Sequence, residues 1–168
     1  RTLHDYLQTD RVIIFQFDST DNRSTGQIVA EKVSANFSSA KELAMKEHYV
    51  SEQMTEAFSR EQFWSTADVY EQGLSEHHLD TLAQLQVHAM LAVPLFKSGQ
   101  LWGLCSIHHC VGPRHWKETE IAFVQRVIAQ LNVALQQADY LEQVNKKNQQ
   151  LEQIAQQEQL ITKITERL

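Results

Sequence analysis

The run Leu-Trp-Gly-Leu-Cys-Ser-Ile-His-His at residues 101–109, followed by Val-Gly-Pro-Arg-His-Trp at 111–116, decides the fold. The first part is an apolar run of strand length that ends in two histidines, and the second is a turn that opens a long helical pattern. Upstream, Val-His-Ala-Met-Leu-Ala-Val-Pro-Leu at 87–95 reads as another strand, with Phe-Lys-Ser-Gly-Gln at 96–100 as a loop of hairpin length between the two. Strands joined this closely pair antiparallel.

The rest of the sequence supplies more of the same sheet and the helices that flank it. Arg11–Phe17 is a β-branched and aromatic run suited to a central strand. A dense turn cluster at Asp18–Gly26 joins it to a second strand at Gln27–Val33. Arg1–Gln8 reads as the end of a helix, with further short helical pieces at Lys41–Glu47 and Glu52–Phe58 and a short strand within Phe63–Val69. Leucines at 79, 82 and 85 behind Ser75 predict a short helix with Ser75 as its N-cap. Strands interleaved with short helices and local hairpins give an α+β class, a central antiparallel sheet flanked by helices.

From Trp116 the spacing becomes helical, with Ile121, Val124, Ile128, Leu131 and Leu135 on one stripe. No glycine or proline occurs after Pro113 to end that helix. Beyond Val144 a heptad emerges. Val144, Leu151, Glu158 and Thr165 hold one core position, and Lys147, Ile154, Ile161 and Leu168 the other. The segment 141–168 carries four acidic and four basic residues and many glutamines, which suits a solvated stalk. The expectation is a domain at 1–140 and a helical linker at 141–168, forming a parallel homodimer through the C-terminal helix. The alternative is one solvated helix without a partner.

Composition excludes several classes. With 168 residues, 42% of them hydrophobic, the chain can bury one good core. A net charge of -6 argues against a nucleic-acid partner, which needs clustered Lys and Arg. No apolar run approaches the roughly 20 residues that span a bilayer, so no direct membrane insertion by this segment is expected, and the expected compartment is the cytoplasm. The two cysteines, Cys105 and Cys110, are an odd spacing apart on a strand, which points them to opposite faces and predicts no disulfide. Beginning Arg-Thr-Leu-His and ending within an unfinished periodic pattern, the sequence reads as a fragment of a longer chain.

Several stretches in order resemble one family. They are Asp10–Phe17, Gly26–Val33, Asp68–His78, Val87–Leu95, and Leu101–Leu104 with His108–Trp116. In their sequence and spacing they are similar to the bilin-type GAF domains of phytochromes and cyanobacteriochromes, over the chain up to about Tyr140. The resemblance implies a GAF fold and a cleft between the sheet and the helices that would take a linear tetrapyrrole such as phycocyanobilin. It places His78 beside the central pyrroles and His108 near the terminal ring. By strand alternation Trp102, Leu104 and Ser106 share the wall of His108. An ungapped count back from His77 puts Glu47 at the carboxylate that receives pyrrole N–H groups, with Tyr49 two residues on. The closing Ile161–Leu168 resembles the opening helix of a following GAF domain, which implies a tandem array joined to an output domain in the same chain.

The chain departs from the family at the attachment point, where Cys-His is replaced by His77-His78. An imidazole does not supply the soft nucleophile that adds to a bilin side chain. The family's strand tyrosine and arginine appear as Phe15 and Gln16, with Arg60 as a substitute for a propionate partner. The histidines show no metal-ligand spacing, and no phosphate loop, nucleophile elbow or cyclic-nucleotide signature is present. The expectation is therefore a non-enzymatic sensory and signal-relay module of a photoreceptor-type protein, with no cofactor and no metal. The competing reading is a photosensory domain that holds its bilin non-covalently or through a second site.

Overall fold

A computed structural model describes residues 2–18, 25–42, 52–60 and 62–167. Five strands, β1 (Arg11–Phe17), β2 (Gly26–Val33), β3 (Trp64–Thr66), β4 (Ala89–Lys97) and β5 (Gln100–His109), form one sheet in the order β2-β1-β5-β4-β3. Every pairing is antiparallel. The helices are α1 (Leu3–Leu7), α2 (Glu52–Ser59), α3 (Glu76–Gln84) and α4 (Glu118–Thr165), with a 3-10 turn at Val69–Glu71. The α+β class and the strand at 101–109 stand as read from the sequence. The other sheet strands begin and end within a few residues of their expected limits.

The β4–β5 connection is tighter than expected. Phe96, Lys97 and Gln100 belong to the strands, and the turn is Ser98-Gly99 alone, with φ of 53° and 76°. Positive φ at both central residues matches the right-handed twist of the flanking strands, which is why two residues suffice. Gly103 meets a different demand, since a Cβ there would lie 2.2 Å from the Phe15 carbonyl oxygen. Only glycine lets β1 and β5 approach so closely at that point.

Alternation along β1 buries Arg11, Ile13, Phe15 and Phe17 on one face and leaves Val12, Ile14 and Gln16 half-buried on the other. The first face continues through Leu104, Ser106 and His108 of β5 and Met90 and Ala92 of β4, which lie opposite them. It is covered by Met54 and Phe58 of α2, by Val69, by Leu85 and Val87, and by half-buried Leu74 and Leu82. On the second face, Leu91, Leu95, Cys105 and Ile107 are fully buried. The start of α4 buries Val124 and Ile128, stacks Phe123 on Tyr6 of α1 at 4.0 Å between ring centroids, and accepts the Phe96 N–H at Asn132 Oδ1, 3.0 Å away.

The segment ahead of α4 is stitched in place by its polar groups. Arg114 donates to the carbonyls of Leu7 and Gln8, pairs with Glu120 at 2.8 Å, and lies over the Trp116 ring. Trp116 donates its indole N–H to the Thr66 carbonyl. α4 begins at Glu118, two residues later than expected, because Glu120 caps the Lys117 N–H.

The chain divides into two compact units, 1–132 and 133–168. The second is helical to Thr165 and exposes Leu151, Ile154 and Ile161 of the heptad, with Val144 half-buried. Leu168 lies outside the described residues. Among the described residues no helix is long and apolar enough to cross a membrane.

Candidate functional site

Arg11 opens β1 with a charge, yet its alternation with Ile13, Phe15 and Phe17 turns it into the covered face, where it is fully buried. A buried guanidinium needs partners for its charge and its donors. Its Nη2 donates to the Ser38 carbonyl at 2.6 Å and its Nη1 to the Leu85 carbonyl at 2.9 Å. Nη1 also lies 3.4 Å from Nδ1 of His108, the residue directly across the β1–β5 ladder. The Glu31 carboxylate, 3.6 Å from Nε, balances the charge. Glu31 in turn accepts from Ser39 Oγ and from the N–H groups of Ala40 and Lys41. One arginine therefore joins the residue after α3, the segment 38–41 and β5.

The residues expected to line the cleft divide into groups. His108 and Ser106 are buried on the covered face, opposite Arg11 and Ile13. Trp102 does not follow them. The register slips between Leu95 and Phe96, pairing Leu95 with Gly103 but Phe96 with Leu101, so Trp102 is the extra residue of a bulge. Strand alternation breaks there, and Leu101, not Trp102, joins the buried cluster with Leu104. Glu47 and Tyr49 lie outside the described residues.

His77 and His78 occupy the first turn of α3, His77 exposed and His78 half-buried, their ring centroids 5.7 Å apart. Ser75 is the N-cap as expected, but its hydroxyl makes no capping bond. It hydrogen-bonds Nδ1 of His78 instead, which orients that ring. Two further side chains lie away from this wall. Gln16 sits on the face opposite His108, so its position does not serve this wall. Arg60 pairs with Glu56 one turn earlier on α2, both side chains 65% exposed.

The thiols behave as core groups. Cys105 is fully buried on the face opposite His108, and burial pushes its pKa up to about 12. Cys110 follows β5, with Sγ 3.8 Å from both Arg11 Nη1 and the Leu85 carbonyl, and burial raises it to about 11. At that value roughly one thiol in ten thousand is a thiolate at neutral pH. Position 77 thus carries an imidazole, and both thiols of the sequence are buried with their pKa values raised. Among the described residues no group of three or more His, Cys, Asp or Glu could hold a metal ion.

His109, the last residue of β5, has Nδ1 3.1 Å from Asp10 Oδ2. Burial still lowers its pKa, against the pull of that carboxylate. Sequence reasoning missed Arg11 and Glu31 as a linked pair. The signal available was the period-two alternation of an arginine with three core residues.

The chain matches the GAF domain family over residues 1–135. It is 31% identical over 137 residues, 82% of its length, to a putative methyl-accepting chemotaxis protein of Synechocystis sp.. It is 26% identical to the circadian input-output histidine kinase CikA of the same organism, over 88% of its length. The chain spans only 13% and 22% of these two relatives. Among solved structures, the blue-light absorbing form of the Thermosynechococcus elongatus PixJ GAF domain superposes with a TM-score of 0.73 at 31% identity, covering 86% of this chain and 84% of that one. The photoproduct state of GAF3 from Slr1393 of Synechocystis gives 0.72 at 28% identity, covering 84% and 91%.

Proposed function

The chain belongs to the GAF domain family, and from that premise we propose that it is a non-enzymatic sensory and signal-relay module which carries no covalently bound bilin. The observation behind this reading is the thiol inventory. His77 stands at the attachment position implied by the family resemblance, and Cys105 and Cys110 are buried and held protonated. Solved cyanobacteriochrome GAF domains and curated signalling proteins among the relatives support placement in a photoreceptor-type signalling chain. Within such a chain, neighbouring GAF and output domains would supply the input and the activity.

Relay needs an element that passes a displacement on. α4 runs from Glu118 to Thr165 without a break, and its distal part exposes Leu151, Ile154 and Ile161 at heptad spacing. Apolar residues repeated in this way drive parallel association, so the proposed assembly is a homodimer through that helix. The competing reading, a non-covalently held tetrapyrrole, draws on the face that carries His108 and Ser106, with His78 near the start of α3. Absorbance after purification from bilin-producing cells separates the two. The relay reading gives a colourless protein. A visible band that survives purification but vanishes on denaturation supports the non-covalent photosensor and overturns the relay reading.

A further inference from the structure

Arg11 does more than neutralise Glu31. We infer that it fixes His108 in a single state, the neutral tautomer with its proton on Nε2, and so acts as a positioning residue for that histidine. A guanidinium has donors only and stays charged at all accessible pH values. With Nη1 at 3.4 Å from Nδ1, the imidazole must offer Nδ1 as a lone pair. The ring proton then sits on Nε2. The opposite tautomer would set N–H against N–H, and the imidazolium would add a like charge.

The guanidinium cannot turn away to relieve such a conflict. Its Nη2 is held by the Ser38 carbonyl, its Nη1 by the Leu85 carbonyl, and Glu31 lies against Nε. Nη1 has two protons. One goes to Leu85, and the other faces His108 Nδ1 at 3.4 Å and Cys110 Sγ at 3.8 Å, the nearer and stronger acceptor being the imidazole. Because Leu85 caps the end of α3, the same side chain that sets the His108 tautomer also holds the helix that carries His77 and His78. The side of the His108 ring away from Arg11 therefore carries the N–H. The inference rests on this geometry alone and is independent of whether a bilin binds.

Long-range proton–nitrogen correlation spectra of uniformly labelled protein near neutral pH read the state directly, with His108 assigned by its loss in His108→Gln. The expected pattern is a protonated Nε2 and an unprotonated Nδ1. A proton on Nδ1, or on both nitrogens, overturns the inference. Arg11→Met combined with Glu31→Met removes the buried pair together, which avoids leaving one charge stranded. In that variant His108 should show both tautomers in exchange. Retention of Nε2–H alone would mean that Arg11 does not set it.

Discussion

Cys105 and His108 stand three positions apart on β5 and face opposite sides of the sheet, Cys105 across from Ile14 and Val93, His108 across from Arg11 and Met90. No rotamer of Cys105 reaches the His108 face through the backbone of its own strand. That relationship separates the chain's most buried thiol from the surface on which a tetrapyrrole would lie.

Both thiols should accordingly be slow to react. With pKa values raised to about 12 and about 11 by burial, native Cys105 and Cys110 are expected to resist a thiol reagent at pH 7.5. Denaturation should expose two equivalents at once. Fast labelling of either thiol in the folded protein would contradict the packing described for it.

Gly103→Ala tests the close approach of β1 and β5. The added methyl meets the Phe15 carbonyl at 2.2 Å, and because the atoms it meets are β1 backbone there is no inexpensive escape. A loss of about 3 kcal/mol in denaturant unfolding is expected. A change below about 0.5 kcal/mol, the range of ordinary surface substitutions, would mean that the strands separate freely there.

Much of this architecture is legible in the sequence, and the losses have identifiable causes. β1 and β5 announce themselves because their residues alternate or run apolar over a full strand length. The bulge at Trp102 is not legible, because it shifts the phase by one residue without altering composition. Arg11 is not legible as a core residue because a charge at the first position of a strand reads as an exposed end, and only its partner Glu31, twenty residues later, reveals that it is inside. Gln16 stands where the family has an arginine, and the alternation of β1 places it on the face away from His108.

Titration of His109 gives a signed pH effect. Its folded pKa lies below the ordinary value of 6.5, chiefly through burial, so protonation favours the unfolded chain. Its contribution to stability is fully present above 6.5 and is lost as pH falls through the lowered folded value. His109→Gln should flatten the pH dependence of stability on the acid side of 6.5 relative to the parent. An identical slope in both proteins would remove His109 as the source.

The distal helix should associate in register. Leu151→Cys is expected to form a symmetric disulfide-linked dimer rapidly under mild oxidation, because Leu151 is 63% exposed at a heptad core position. Ile154→Lys with Ile161→Lys should abolish it. A monomeric mass by light scattering at about 50 μM, a concentration at which mass action favours even weak pairs, would count against the homodimer.

The most direct measurement of the central claim is zinc-induced fluorescence of the denatured protein on a gel after expression in bilin-producing cells, with the parent and His77→Cys side by side. The parent should show no fluorescent band, and His77→Cys, which restores a thiol on the exposed first turn of α3, should gain one where the cleft admits the chromophore. A fluorescent band from the parent protein would contradict the account and direct attention to Cys110 and then Cys105.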